Sequence, residues 1–281
     1  MECPAGVRLR FASDALEIKT ALRFGEAARP IFTSSLLVDG KLHSIFGPDE
    51  HTSTWEGELF RQGQHEQHIF DWWLPNMSRA DISSLEIDDG AHLMPAPRLT
   101  RRWLAYGASI TQGMMSSAPH LNFVARCALE LEAEVFNLGV GGAALDLELS
   151  QALPPGDFDL VSISYGTNDF IKNVPVEVHT AHAVALIQAL RAKFQCPVVV
   201  VTIPTWHGRT KPNDLGRTLD DYRCAMTSVT RQFEEVSLAP GDEMLPDEAR
   251  FFVDNVHPND EGFAHYATNL LPILRHGFAS R

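Results

Sequence analysis

From residue 15 to residue 94 apolar and polar positions alternate with a period of two. Leu16, Ile18, Thr20 and Leu22 would face one side of a strand while Glu17 and Lys19 face the other, which predicts a half-buried strand. Asp39-Gly40 stands between Leu36-Leu37-Val38 and Leu42, and Asp89-Gly90 follows Leu85 and Ile87. Both dipeptides supply the positive φ angles of tight hairpins. No helix period interrupts this stretch, and its turn signals recur about every 8–12 residues, so the expectation is an antiparallel, jelly-roll-like β-sandwich of roughly seven to nine strands.

Pro95-Ala96-Pro97 breaks the rhythm, because proline lacks a donor and favours extended backbone, and sets the expected boundary between domains 1–97 and 98–281. Beyond it strands and helices alternate. Strands are predicted at Trp103–Tyr106, Val135–Leu138, Leu160–Ser164 and over Pro197–Ile203, whose unbroken apolar run suits a strand covered on both faces. Helices are predicted from about Leu121 and from near Pro175, the latter burying Ala183, Ile187, Leu190 and Phe194. A further helix carries Leu219, Tyr222, Met226, Val229 and Phe233, and the last runs from Gly262 to Leu271 with Pro272 just beyond it. Such alternation implies an α/β domain with a parallel sheet between helices.

The 281 residues are 44% hydrophobic, ordinary for a globular chain, and carry a formal net charge of -13. That acidity repels phosphate backbones and anionic membrane surfaces, so nucleic acid is excluded as an expected partner. Cys3, Cys127, Cys196 and Cys224 are scattered without a CxxC, and are expected to be free thiols. Met1 to Phe11 offers no apolar stretch of signal-peptide length, and no uncharged apolar run reaches the length of a membrane span; a cytoplasmic location is the expectation. Oligomeric state is not specified by the sequence, and a homo-oligomer is compatible with it.

In a parallel α/β sheet, ligands gather beyond the carboxyl ends of the strands. Four segments there carry candidate chemistry. Gly107-Ala108-Ser109-Ile110-Thr111-Gln112-Gly113 places a serine between glycines in a spacing unlike the Gly-x-Ser-x-Gly elbow, with helix N-capping as the plainer use of Ser109. Asn137-Leu138-Gly139-Val140-Gly141-Gly142 presents bare N–H groups suited to an oxyanion, to a dinucleotide phosphate if the spacing were Gly-x-Gly-x-x-Gly, or to a simple turn. Tyr165-Gly166-Thr167-Asn168-Asp169 offers the Asn168 amide as a donor, or a polar turn. In Asp254-Asn255-Val256-His257 an aspartate three residues before a histidine would hold the imidazole in one tautomer, leaving its other nitrogen to take a serine proton; a surface loop is the alternative.

In this order, the four segments resemble those of the SGNH (GDSL-type) hydrolases. The likeness runs from Trp103 to the C-terminal helix and implies a flavodoxin-like three-layer α/β/α domain. It implies Ser109 as nucleophile with its own N–H in the oxyanion hole, Gly142 as the second donor, Asn168 as the third, and Asp254 and His257 as the remaining catalytic residues. Ala108 stands where the family has aspartate in Gly-Asp-Ser, and Ala143-Ala144 where Asp-Thr or Asp-Ser often follows. Members with an N-terminal β-sandwich, some of them carbohydrate deacetylases, are the nearest likeness. They imply a serine esterase acting through an acyl-enzyme on short acyl groups such as acetyl, on a carbohydrate or small-alcohol ester, with no cofactor and no metal.

Other readings of the same residues are a lipase of longer acyl esters, or a silent glycan-binding protein in which Trp72 and Trp73 stack on sugars; core aromatics are the simpler account of that pair. His65 and His68, and His179 and His182, are spaced three apart as two metal ligands on a helix would be, but the first pair lies in strand-like sequence and the second is expected at the surface. Trp206 and His207 follow a strand end and are candidates to line the substrate mouth.

Overall fold

The computed structural model describes residues 3–280; Met1, Glu2 and Arg281, at the outer ends of the two expected domains, lie outside the described residues. The chain divides into two compact units, Met1–Arg98 with Ser116–Leu121, and Leu99–Met115 with Asn122–Arg281.

The first unit contains β1 (Arg8–Ser13), β2 (Glu17–Ala27), β3 (Ser34–Val38), β4 (Lys41–Phe46), β5 (Thr54–Arg61), β6 (His68–Trp73), β7 (Ser78–Ile87) and β8 (Leu93–Pro95). They form two antiparallel sheets, ordered β4-β3-β6-β1-β8 and β5-β2-β7. The predicted alternation is realised in β2, where Ile18, Thr20, Leu22 and Phe24 are buried and Lys19 and Arg23 are exposed. These side chains meet Phe11, Leu36, Leu59 and Phe70 in one core. Full burial of each large apolar side chain contributes roughly 1.5–3 kcal/mol, enough over such a cluster to hold the two sheets face to face. Trp72 and Trp73 are buried, Trp72 within this core and Trp73 beneath the Arg8 guanidinium, so neither ring is open to stack on a sugar.

Asp39 and Gly40, at φ 49° and 76°, close the two-residue hairpin between β3 and β4. Asp89-Gly90 does otherwise. Strands β7 and β8 belong to different sheets, so this turn is a crossing and not a tight hairpin. It is fixed by Asp88, whose carboxylate accepts the N–H groups of Leu16 at 2.7 Å and Glu17 at 3.0 Å. A turn dipeptide reports backbone angles and is silent about which strands they join. The segment Ser116–Leu121 belongs to this unit through its hydrogen bonds: Thr33 Oγ1 donates to the Ser117 carbonyl at 2.7 Å, and His120 Nδ1 pairs with Ser35 Oγ at 2.7 Å.

The second unit is a three-layer α/β/α sandwich. Its parallel strands are β9 (Arg101–Gly107), β10 (Ala133–Gly139), β11 (Leu160–Ser164), β12 (Val198–Val201) and β13 (Val236–Ala239), ordered β10-β9-β11-β12-β13. Counted within the unit this is 2-1-3-4-5, the flavodoxin-like order, whose switch point lies between β9 and β11. The helices are α1 (Ser109–Gln112), α2 (Phe123–Glu130), α3 (Glu148–Gln151), α4 (Thr167–Ile171), α5 (Val176–Phe194), α6 (Leu219–Thr230) and α7 (Asp260–Ala279). Leu104, Val161 and Val200 of the sheet pack with Ala183, Ile187 and Leu190 of α5 and with Met226 and Val229 of α6. On the other face α7 presses Gly277 onto Leu160 and Val199, and Phe123 of α2 stacks on Tyr266 of α7 at 4.3 Å. Cover on both sides explains why all four valines of β12 are buried.

Two expectations need correction. Helix α7 does not stop at Leu271 but continues through Pro272 to Ala279. Proline removes one backbone donor at a cost of about 3 kcal/mol, and the apolar face that resumes with Leu274 and Gly277 offsets it. His179 is not a surface histidine: it is buried, on the inward stripe of α5 with Ala183 and Leu186, and His182 is half-buried.

Candidate active site

At the switch point, β9 ends in Gly107 and the chain turns at once into the single-turn helix α1. Ala108 is its N-cap and offers no capping side chain, so Ser109 occupies the first helical position and not the cap. Its hydroxyl is not used as a cap. Among the described residues its N–H meets no acceptor. Ser109 Oγ lies 2.9 Å from His257 Nε2, and His257 Nδ1 lies 2.8 Å from Asp254 Oδ2 and 3.0 Å from Oδ1. Asp254 also accepts the backbone N–H groups of His257 at 2.8 Å and Val256 at 3.2 Å.

The loop that brings the two together is closed on itself. Val253 N–H donates to the His257 carbonyl at 3.0 Å, Phe252 bridges to Pro258, and Asn255 takes a left-handed φ of 65°. Its neighbour at Asn259 then caps α7 by accepting the Gly262 N–H, so the histidine is tied directly to a long, well-packed helix. Burial of Asp254 would raise its carboxyl, but the hydrogen bonds and charge of His257, with the Val256 N–H, outweigh it and hold the group below the ordinary carboxylate range.

The glycine-rich loop after β10 accounts for its N–H groups one by one. Gly139 donates to Asn137 Oδ1 at 2.9 Å, Val140 to the Gly107 carbonyl at 3.1 Å, Gly141 to Gln112 Oε1 at 2.7 Å and Ala143 to the Val140 carbonyl at 3.1 Å. Among the described residues only the Gly142 N–H in this run has no protein acceptor. Gly142 sits at φ +77°, and a Cβ there would meet nothing within 4 Å, so the glycine serves the backbone angle. Gly139 differs, since a Cβ there would fall 2.3 Å from the Gln112 nitrogen. Asn168, in the first turn of α4, donates one amide hydrogen to the Ala143 carbonyl at 2.9 Å and retains the other.

Ser109 borders a small recess lined by Ala108, Ile110, Ser164, Tyr165, Thr167 and Pro204. Trp206 and His207 are not among its lining residues. Trp206 packs edge-on against Phe170 at 6.0 Å, under the Arg209 guanidinium, while His207 pairs with Asp247 at 2.7 Å and donates its backbone N–H to the Asn255 carbonyl at 2.8 Å. His207 thus braces the loop that carries Asp254 and His257, whereas Trp206 packs against α4.

Several residues around the site were given no part in it by the sequence. Gln112 holds Gly141, Arg223 of α6 donates to the carbonyls of Ile203 at 2.9 Å and Pro204 at 3.1 Å, and Lys172 reaches the Gly142 carbonyl at 2.6 Å. Asp169 and His179 form a fully buried pair at 2.8 Å. The available signal for His179 was its place four residues before Ala183 on the buried stripe. Gln112 and Asp169 lie within two of the candidate segments without a mark of their own, and no signal marked Lys172 or Arg223, whose partners are distant in sequence. Among the described residues the cysteines are unpaired, and no three His, Cys, Asp or Glu side chains are grouped as a metal site.

The model of the GDSL-like Lipase/Acylhydrolase family matches residues 105–265, more than half of the chain. The protein belongs to this family of SGNH hydrolases and is an ester-hydrolysing enzyme. Solved structures share the fold over nearly the whole chain. A structure assigned as a GDSL-like lipase from Bacteroides ovatus is 21% identical, with a TM-score of 0.82, covering 98% of this chain and 85% of that one. The salicylyl-acyltransferase SsfX3 of a tetracycline biosynthetic pathway is 21% identical, with a TM-score of 0.78 and coverage of 99% and 83%. A family two carbohydrate esterase from Clostridium thermocellum, solved with cellohexaose, is 17% identical, with a TM-score of 0.77 and coverage of 98% and 93%. Comparison with curated protein sequences gives no significant match. No helix of the described residues is long and apolar enough to cross a membrane.

Proposed function

We propose that the protein is a serine esterase that removes short acyl groups, such as acetyl, from a carbohydrate or small alcohol through an acyl-enzyme. The observation that carries this reading is the unbroken chain from Ser109 Oγ through His257 to the Asp254 carboxylate.

Ser109 Oγ attacks the ester carbonyl carbon while His257 Nε2 takes the hydroxyl proton. Asp254, bonded to Nδ1–H, keeps the imidazole in the tautomer whose Nε2 is free, and stabilises the cation that forms. The carbonyl oxygen becomes an oxyanion held by the N–H groups of Ser109 and Gly142 and by the remaining Asn168 amide hydrogen, each worth about 3 kcal/mol in the transition state by analogy with a single oxyanion-hole donor. The C–O bond to the alcohol breaks as His257 returns the proton to the leaving oxygen. Water, deprotonated by His257, then attacks the acyl-enzyme, and the acid and free Ser109 are restored. The carbohydrate alcohol is supported by the likeness to carbohydrate esterases.

The test is a series of acyl esters from two to twelve carbons, with acetylated sugars included, assayed for the parent and for Ser109→Ala. Turnover that is greatest on acetyl esters and lost in the variant is expected. Equal turnover by the two proteins would defeat the assignment of Ser109; greatest turnover on long chains would defeat the short-acyl reading alone.

A further inference from the structure

Behind the glycine-rich loop lies a second Asp–His pair. Asp169 and His179 are both fully buried, with His179 Nδ1 2.8 Å from Asp169 Oδ1. A carboxylate only accepts, so His179 donates from Nδ1. The other carboxylate bonds are made by the Leu145 N–H, which lies 3.2 Å from each Asp169 oxygen. Leu145 is gripped a second time, because His182 Nδ1 lies 2.9 Å from its carbonyl. The same region supplies Lys172 to the Gly142 carbonyl at 2.6 Å and Asn168 to the Ala143 carbonyl at 2.9 Å. From Gly142 to Leu145, therefore, three of the four carbonyls and the last N–H are held by side chains of α4, its C-cap Lys172 and α5.

We propose that Asp169 and His179, assisted by His182, are positioning residues that fix the Gly142 peptide, and so aim its N–H at the developing oxyanion; this rests on the esterase reading above. A left-handed glycine linker is pliable on its own. Gln112 ties the chain on one side of Gly142, through the Gly141 N–H, and the Leu145 anchor ties it on the other. His179 touches no reacting atom and acts only through Asp169. Its Nε2 has no partner among the described residues, and its ring edge packs on Tyr222 at 5.5 Å, so the one polar bond of the ring among those residues is the one to the carboxylate. Burying that pair fully, without solvent to compete, keeps the bond geometry narrow.

The experiment compares Asp169→Asn, His179→Leu, His179→Asn, His182→Ala and His182→Asn with the parent. The readouts are kcat and KM on p-nitrophenyl acetate, the inhibition constant of phenylboronic acid as a tetrahedral mimic, and Tm. Loss of one oxyanion donor's alignment is expected to lower kcat on the order of 30-fold in Asp169→Asn and His179→Leu, with KM changed by less than about threefold and boronate binding weakened in step with kcat. His179→Asn keeps a donor at the Nδ1 position and recovers most of the loss. His182 is half-buried, so His182→Ala tests the same anchor with less risk to folding: it lowers kcat by roughly 3–10-fold, and His182→Asn, which keeps a donor at the Nδ1 position, restores it. The proposal is overturned if folded His179→Leu and His182→Ala keep parental kcat, or if His179→Leu and His179→Asn lose kcat equally and in proportion to Tm. Parental turnover that survives Ser109→Ala would instead sink the esterase reading on which it rests.

Discussion

His257 Nε2 stands 2.9 Å from Ser109 Oγ across a separation of 148 residues. That is hydrogen-bonding distance in the resting enzyme, so no loop needs to close before the proton moves. Ser109→Ala is expected to lower kcat at least about 1,000-fold and to leave Tm within a few degrees of the parent, because the hydroxyl contributes little packing. Labelling by a fluorophosphonate probe, present in the parent and lost in the variant, checks the same assignment independently of substrate choice.

Asp254→Asn is expected to reduce kcat by roughly 1,000–10,000-fold, since an amide nitrogen facing Nδ1 favours the wrong tautomer. The depressed carboxyl of Asp254 sets the sign of the pH dependence. A carboxylate held below its ordinary range stays ionised as pH falls through mildly acidic values, so Asp254 is not the group whose protonation ends activity there. In the parent, Asp254 therefore adds no proton to any fall of kcat/KM between neutrality and pH ~5. A carboxyl signal of Asp254, followed by NMR, that protonates within that range would overturn this.

Gly139 and Gly142 predict opposite outcomes for the same replacement. At Gly139 the new Cβ collides with backbone of α1, so Gly139→Ala should destabilise by several kcal/mol, on the order of a severe overpacking, and lower Tm. At Gly142 there is room but the angle is wrong for alanine. Gly142→Ala should cost only about 1–2 kcal/mol of stability while lowering kcat roughly 10–100-fold, as relief of strain turns the N–H away. Paired melting and kinetic measurements separate these effects.

Acid stability has a local source in Asp88. Its carboxyl is lowered chiefly by the Glu17 backbone N–H, against a desolvation that raises it, and with help from Leu16. A folded pKa below the unfolded one means stability that is present above about pH 4 and lost as pH falls through the folded value. Asp88→Asn should therefore lower Tm at neutral pH, and the two melting curves should approach each other as pH falls below the ordinary carboxylate range. Curves that stay equally far apart across that range would remove Asp88 from the account.

Local pattern determined a good deal of this protein. The period of two in β2, the Asp39-Gly40 hairpin and the inward stripe of α5 depend on residues a few positions apart, and each is visible in the chain itself. The segments of Ser109, Gly142, Asn168 and Asp254 with His257 were recognisable for a related reason: chemistry at a strand end needs particular residue types within one short loop. Tertiary structure decided the rest. Only packing carries α7 through Pro272, and only the assignment of β7 and β8 to separate sheets makes Asp89-Gly90 a crossing. The partners of Trp206 and His207, Phe170 for the first and Asp247 and Asn255 for the second, lie about 35–50 residues away in sequence. Asp169, His179, His182 and Lys172 likewise act on Gly142 to Leu145 from another layer of the fold. A side chain's neighbours in sequence set its backbone and its facing; the identity of what it grips is fixed by burial and topology, which bring distant segments within hydrogen-bonding range.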